Sequence, residues 1–194
     1  MSLLEITDLT LDLQNGKRLL DGISIRVEAG ETVGLVGESG SGKSLTARSV
    51  LGLFPENATT GGSVLIDGHS VLGATTTELL EVRRNSAAMI FQDPRAGINP
   101  MRKIGDHMTE SLKLCRGTPA TEARSVATDL LRSVRLPRPE EHLGQYPHEF
   151  SGGMLQRVMI AGALTSSPKL LICDAPTTAL DVTTQAGIIE VLAE

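Results

Sequence analysis

Tryptophan is missing from the 194-residue chain, tyrosine occurs once (Tyr146) and phenylalanine three times (Phe54, Phe91, Phe150). So small a supply of aromatic rings argues against a surface that stacks nucleic-acid bases. A cationic excess is missing too. Eighteen Lys and Arg against 23 Asp and Glu leave a formal charge of -5, and no global basic field draws nucleic acid. Cysteine is limited to Cys115 and Cys173, far apart and without a C-x-x-C pair. That spacing excludes a disulfide framework or a zinc site and predicts two ordinary buried thiols in a reducing compartment. No uninterrupted apolar run approaches the ~20 residues of a membrane span. The opening "MSLLEITDL" lacks a basic segment followed by an apolar core, so it is not a signal peptide. The chain reads as soluble by itself, with any membrane association coming through a partner.

What is present is ordered. "LLEITDLTLDL" alternates, turns at Gln14-Asn15-Gly16, and is followed by "GISIRVEAG"; both predict half-buried antiparallel strands. "ETVGLVGESGSGKS" predicts an apolar strand running into a glycine-rich loop, and "LTARSVLGLF" a helix after it. "GSVLIDG" and "SAAMIFQD" predict further strands, the second ending at Gln92. From Pro100 to about Tyr146 the pattern becomes helical. Thr118-Pro119 predicts an N-cap with proline at the first helical position. Ala123, Val126, Ala127, Leu130, Leu131 and Val134 then form an amphipathic stripe. "SGGMLQRVMIAGAL" predicts a helix with a glycine-rich start, and "KLLICD" a buried strand. The order is an α/β core, a helical insertion, and a return to the core. The last residues, "VTTQAGIIEVLAE", read as mid-helix without a stop signal, which suggests a fragment of a longer chain.

Two elements carry chemistry. "GESGSGKS", Gly37 to Ser44, fits G-x-x-x-x-G-K-[ST] at every fixed position. In such a loop backbone N–H groups converge on phosphate oxygens at a helix N-terminus, where the aligned dipoles already favour an anion. Lys43 can reach the β- and γ-phosphates, and the Ser44 hydroxyl can ligate Mg²⁺. Gly37, Glu38, Ser39, Gly40, Ser41 and Gly42 form the rest of the cradle. Asp174, at the end of an apolar strand, is placed to hold the metal, often through water.

The ordered set "GESGSGKS", "FQDP", "FSGGMLQR" and "LLICDAPTTALD" resembles the ATP-binding cassette (ABC) ATPases over nearly the whole chain. "FQDPRAGINP" and "YPHEFSGGMLQRVMIA" look more particularly like the ATPase subunits of oligopeptide, dipeptide and nickel importers. The resemblance implies a P-loop NTPase α/β fold: a mixed sheet with antiparallel N-terminal strands, an inserted α-helical subdomain, and a truncated C-terminal part. It implies an ATP-binding core at 1–99, a helical subdomain with the signature helix at 100–165, and the return to the core at 166–194. Gln92 matches the Q-loop glutamine, which touches Mg²⁺ or the attacking water. Ser151, Gly152, Gly153 and Met154 match the signature, which in this family caps the ATP held by a second cassette. Ala179, Leu180 and Asp181 match the D-loop. The implied ligands are ATP and Mg²⁺. The implied partners are a second ABC ATPase subunit, two transmembrane permease subunits and an extracytoplasmic substrate-binding protein, with no nucleic acid. The implied place is the cytoplasmic face of a prokaryotic inner membrane. No role passes to Tyr146 or His148.

Three departures qualify the likeness. Ala175 stands where the family has the glutamate that polarises the attacking water, and alanine can neither accept a proton nor orient water. Losing a general base costs roughly 10²–10⁴-fold in rate, so the sequence predicts a site that binds Mg-ATP and hydrolyses it slowly. An introduced substitution that traps the ATP state and a natural degenerate cassette both account for it; the intact neighbouring motifs favour the former. The family's switch histidine lies beyond the last strand, and none of His69, His107, His142 or His148 is in the right order to replace it. The chain alone is therefore expected to be unstable or inactive. No aromatic precedes Phe54, so an adenine platform is vacant or passes to an aliphatic residue near Gln14 to Leu19. Two rivals remain: a soluble ABC protein without membrane partners, whose tandem cassettes or long coiled coils do not occur here, and a non-hydrolysing regulatory cassette, which Ala175 favours.

Overall fold

Leu4, Ile6, Leu9 and Leu11 are all buried, and their spacing changes from two to three between Ile6 and Leu9. A strand can keep one face inward across such a step only by bulging. The computed structural model, which describes residues 2–176, shows that bulge. Asp8 takes φ +48°, and its N–H donates to Ser24 Oγ at 3.0 Å. The strand is β1 (Ser2–Asp12), the centre of an antiparallel sheet. It pairs with β2 (Arg18–Glu28) on one edge and β3 (Thr59–Ile66) on the other, and β4 (His69–Ser70) pairs with β3. The expected turn between β1 and β2 is closed by Gly16 N–H to Leu13 O and Leu13 N–H to Lys17 O, both 2.9 Å.

Between β2 and β3 the chain carries the glycine-rich loop and α1 (Lys43–Val50). α2 (Thr76–Asn85) follows β4 and begins with a reciprocal cap: Thr75 Oγ1 accepts from Glu78 N–H, and Thr75 N–H donates to Glu78 Oε2. The Arg83 guanidinium donates to Leu51 O at 3.0 and 2.8 Å and so closes the C-terminal end of α1. Met1–Ala87 forms one compact unit and Ala88–Glu194 a second.

β5 (Ala87–Ile90), which starts at the boundary residue and continues into the second unit, pairs with β6 (Leu170–Cys173). Between them lie α3 (Pro94–Gly97), α4 (Ile104–Arg116), α5 (Ala120–Ser133), α6 (Pro139–His142), a 3₁₀ turn at Pro147–Glu149, and α7 (Gly152–Leu164). The core here joins Ile90, Ile104, Met108, Leu131, Phe150, Leu155 and Ile160, among others. Of the predicted α5 stripe, Ala123, Ala127, Leu131 and Val134 are buried, while Val126 and Leu130 are half-buried at its margin.

Four expectations need correction. Residues 31–38 form no strand, and Val33, Leu35 and Val36 are exposed. Apolar character favours burial, but a strand exists only where neighbours supply N–H and C=O groups, and no ladder reaches this segment. β5 ends at Ile90, two residues before Gln92, because Asp93 and Pro94 start a helical turn there. Pro119 is the N-cap of α5 rather than its first residue, one place later than read from Thr118-Pro119. Both cysteines are exposed rather than buried: Cys115 on the last turn of α4 and Cys173 at the end of β6. Even so, partial burial pushes the Cys173 thiol up to about 11.

Candidate nucleotide site

Gly42 precedes α1 with φ +93°, a conformation that a side chain would strain. Space forbids a side chain as well, since a Cβ there would stand 2.8 Å from Leu20 Cδ2 of β2. The phosphate loop is thus pressed against the sheet at its last glycine. Lys43 opens α1 and turns back over the loop. Its ammonium donates to Gly37 O at 2.7 Å, Glu38 O at 2.6 Å and Ser41 Oγ at 3.4 Å. The cation therefore sits within the loop that Gly37, Glu38, Ser39, Gly40 and Ser41 form, all of them exposed. Ser44, the second residue of α1, is half-buried. An ammonium and a helix N-terminus meet in this loop, with a hydroxyl-bearing residue next along the helix, and a polyphosphate takes donors of these kinds.

In the second unit, Asp174 follows β6 and is 6% exposed; its N–H donates to Ile90 O at 2.9 Å. Asp174 and Gln92 thus leave from adjacent strand ends. Gln92 is exposed in the turn after β5, and Asp93 fixes that turn by accepting from Arg95 N–H at 2.9 Å. Ala175 has φ +46°, left-handed for an alanine. Ser44 in the first unit and Asp174 in the second each carry an oxygen of the kind that magnesium takes. Among the described residues no cluster of three or more His, Cys, Asp or Glu is placed to hold a metal ion.

The approach to α7 is held at each step. Glu149 Oε2 accepts from Tyr146 N–H at 2.6 Å, and Phe150 is buried with its ring centroid 5.0 Å from that of His142. Ser151 caps the helix, its Oγ accepting from Met154 N–H at 3.3 Å. Ser151 and Gly152 are exposed and open space lies beside Gly152, so the first N–H groups of a 13-residue helix face outward. Arg157 Nη1 donates to Val134 O at 2.6 Å and Arg135 O at 3.2 Å, pinning α7 to the end of α5. The roles of Arg83 and Arg157 were not legible in the sequence, because an arginine that caps a distant carbonyl carries no local pattern. The D-loop residues Ala179, Leu180 and Asp181 lie outside the described residues. The cradle belongs to the first unit; Gln92, Asp174, Ala175 and Ser151–Met154 belong to the second.

A phosphate loop opening a helix in one unit, and a strand-end acid with an open, serine-capped helix in the other, define the class. Residues 20–178 match the ABC transporter family, and the chain belongs to it. It is 45% identical to the oligopeptide transport ATP-binding protein OppD of Salmonella typhimurium over 99% of its own length and 58% of that protein's. Against OppD of Escherichia coli the identity is 46%, over 90% of this chain and 52% of that protein. The chain therefore spans somewhat over half the length of these curated relatives. Among solved structures it resembles the dimeric post-hydrolysis ATP-binding cassette MJ0796 bound to ADP and Pi. There the TM-score is 0.86 at 27% identity, covering 97% of this chain and 81% of that one. Among the described residues no helix is long and apolar enough to cross a membrane.

Proposed function

We propose that this chain is the ATP-binding part of a peptide-importing ABC transporter subunit, and that it binds Mg-ATP but hydrolyses it slowly. The observation that carries the reading is the Lys43 ammonium, held by loop carbonyls where a γ-phosphate can replace them. The names of the relatives above support peptides as cargo; nickel is the other cargo that the sequence motifs suggest.

In this reading Gly37–Gly42 and the N-terminus of α1 hold the β- and γ-phosphates, and Lys43 exchanges its two carbonyls for phosphate oxygens. Ser44 and Asp174 hold Mg²⁺, which draws charge off the phosphates when bound. Gln92 faces that metal or the attacking water. Ser151, Gly152 and Gly153, with Met154 behind them, present their helix end to the triphosphate of a second cassette, and Asp181 belongs to the same interface. Two permease subunits and an extracytoplasmic binding protein complete the machine, which places the chain on the cytoplasmic face of the inner membrane. The cradle with its glutamine turn (1–99), the helices through the signature (100–165) and the return to the core (166–194) act as three functional parts.

Ala175 offers only a methyl group where a base is needed. Ala175→Glu in the full transport complex is expected to raise ATP turnover by roughly 10²–10⁴-fold. Phosphate release, measured alongside Mg-ATP binding, tests both halves. Binding without a gain in turnover favours the second reading, a regulatory cassette whose nucleotide serves its partner's site. Absence of magnesium-dependent ATP binding would refute both.

A further inference from the structure

α7 is anchored on one side and unfinished on the other. Arg157 ties it to α5, yet Gln156, one residue earlier, is 1% exposed, and neither its Oε1 nor its Nε2 meets a partner. An amide sealed from water without a hydrogen bond is among the costlier groups a core can hold. Leucine or methionine would fill a similar volume without that cost. A costly group of this kind marks a place where local rules yield to function.

Its position narrows the function. Gln156 lies one turn after Gly152 and one turn before Met159 and Ile160, so these residues share a stripe along α7. Met159 Sδ stands 3.1 Å from where a Cβ on Gly97 would be, and Phe91 Cδ2 stands 3.5 Å from the same point. The buried stripe therefore rests on the turn that carries Gln92. Gln156 sits between that contact and the open N–H groups at the start of the helix.

Building on the reading of α7 as the signature helix, we propose that Gln156 is a positioning residue for it. The amide, unpartnered in the arrangement described here, gains hydrogen bonds when a second cassette's triphosphate seats the N-terminus of α7. Those bonds hold the helix in its closed orientation. Gln156 touches no nucleotide and acts through Ser151–Gly153.

The test uses Gln156→Leu and Gln156→Met in the full chain, assembled with its partner cassette and permease. Three quantities are measured: Mg-ATP affinity, the ATP concentration that half-closes the cassette pair (read by a distance label), and the urea midpoint. Affinity is expected to stay within about twofold and the urea midpoint to hold or rise, while closure needs roughly tenfold more ATP, about one lost hydrogen bond. Closure at the parental ATP concentration in both variants overturns the proposal. So does a lower urea midpoint with closure intact, which would assign the amide to folding alone. If the leucine variant does not fold, the methionine variant and the Gln156 side-chain ¹⁵N resonance decide. That resonance should move on adding Mg-ATP to the parent; a stationary one overturns the proposal. A parent that neither binds Mg-ATP nor closes would instead refute the functional reading itself, before any change at Gln156.

Discussion

Gly42→Ala isolates what the phosphate loop demands of its last glycine. At φ +93° an alanine costs about 1–2 kcal/mol in backbone strain. Its Cβ would also stand 2.8 Å from Leu20 Cδ2 and 3.6 Å from Leu19 O. Leu20 is only 2% exposed, so its methyl has little room to retreat, and overpacking of that kind adds about 1–3 kcal/mol. The sum is about 2–5 kcal/mol. Gly40 supplies the control, because its φ is +83° but nothing lies within 4 Å of its Cβ position. Gly40→Ala should therefore cost only the strain, about 1–2 kcal/mol. Urea denaturation of the full chain, followed by circular dichroism, gives both values. Mg-ATP affinity should fall more than roughly tenfold for Gly42→Ala, because the tilt of the first α1 amides changes with it. Adding Leu20→Val should recover part of the loss, as expected for residues in contact. Equal penalties at 40 and 42, with no recovery, would refute the account of a loop pressed on β2.

Two further changes probe the second unit. Arg157→Ala removes a charged donor from Val134 O and Arg135 O and should cost about 2–3 kcal/mol, seen as a lower urea midpoint at unchanged slope. Burial holds the imidazole of His107 below its ordinary pKa; Glu110 opposes this and Arg102 adds to it. The unfolded chain then takes up a proton near pH 6.5 that the folded one refuses, so stability should fall as pH drops through that value. His107→Gln should flatten the fall in urea midpoint between pH 7.5 and 5.

The legible parts are those whose cause is local. Serine before two glycines announced the start of α7, and "GESGSGKS" announced a loop that the backbone then formed. Thr75-x-x-Glu78 is a local signal of the same kind, a capping box that starts α2 between the strands. What depends on distant partners was hidden. The run "TVGLV" carries no sign of whether a ladder will reach it. Gln156 looks like a surface residue by type, and only packing shows that it is sealed. The break from two to three between Ile6 and Leu9 was visible in the letters, but its meaning as a bulge needed β3 alongside.

The register of β1 also dictates the path of the phosphate loop. β2 ends with Glu28 opposite Ser2, whereas β3 begins with Thr59 opposite Asp12. These pairings lie at opposite ends of an eleven-residue strand, about 30 Å apart along its axis. Residues 29–58 must travel that length back across the sheet, with both feet nailed down by backbone pairing. The cradle is thus a suspended span, and its sag is set by where its piers stand. Slipping either pairing by two residues would keep every side chain on its proper face yet shift one pier by about 7 Å.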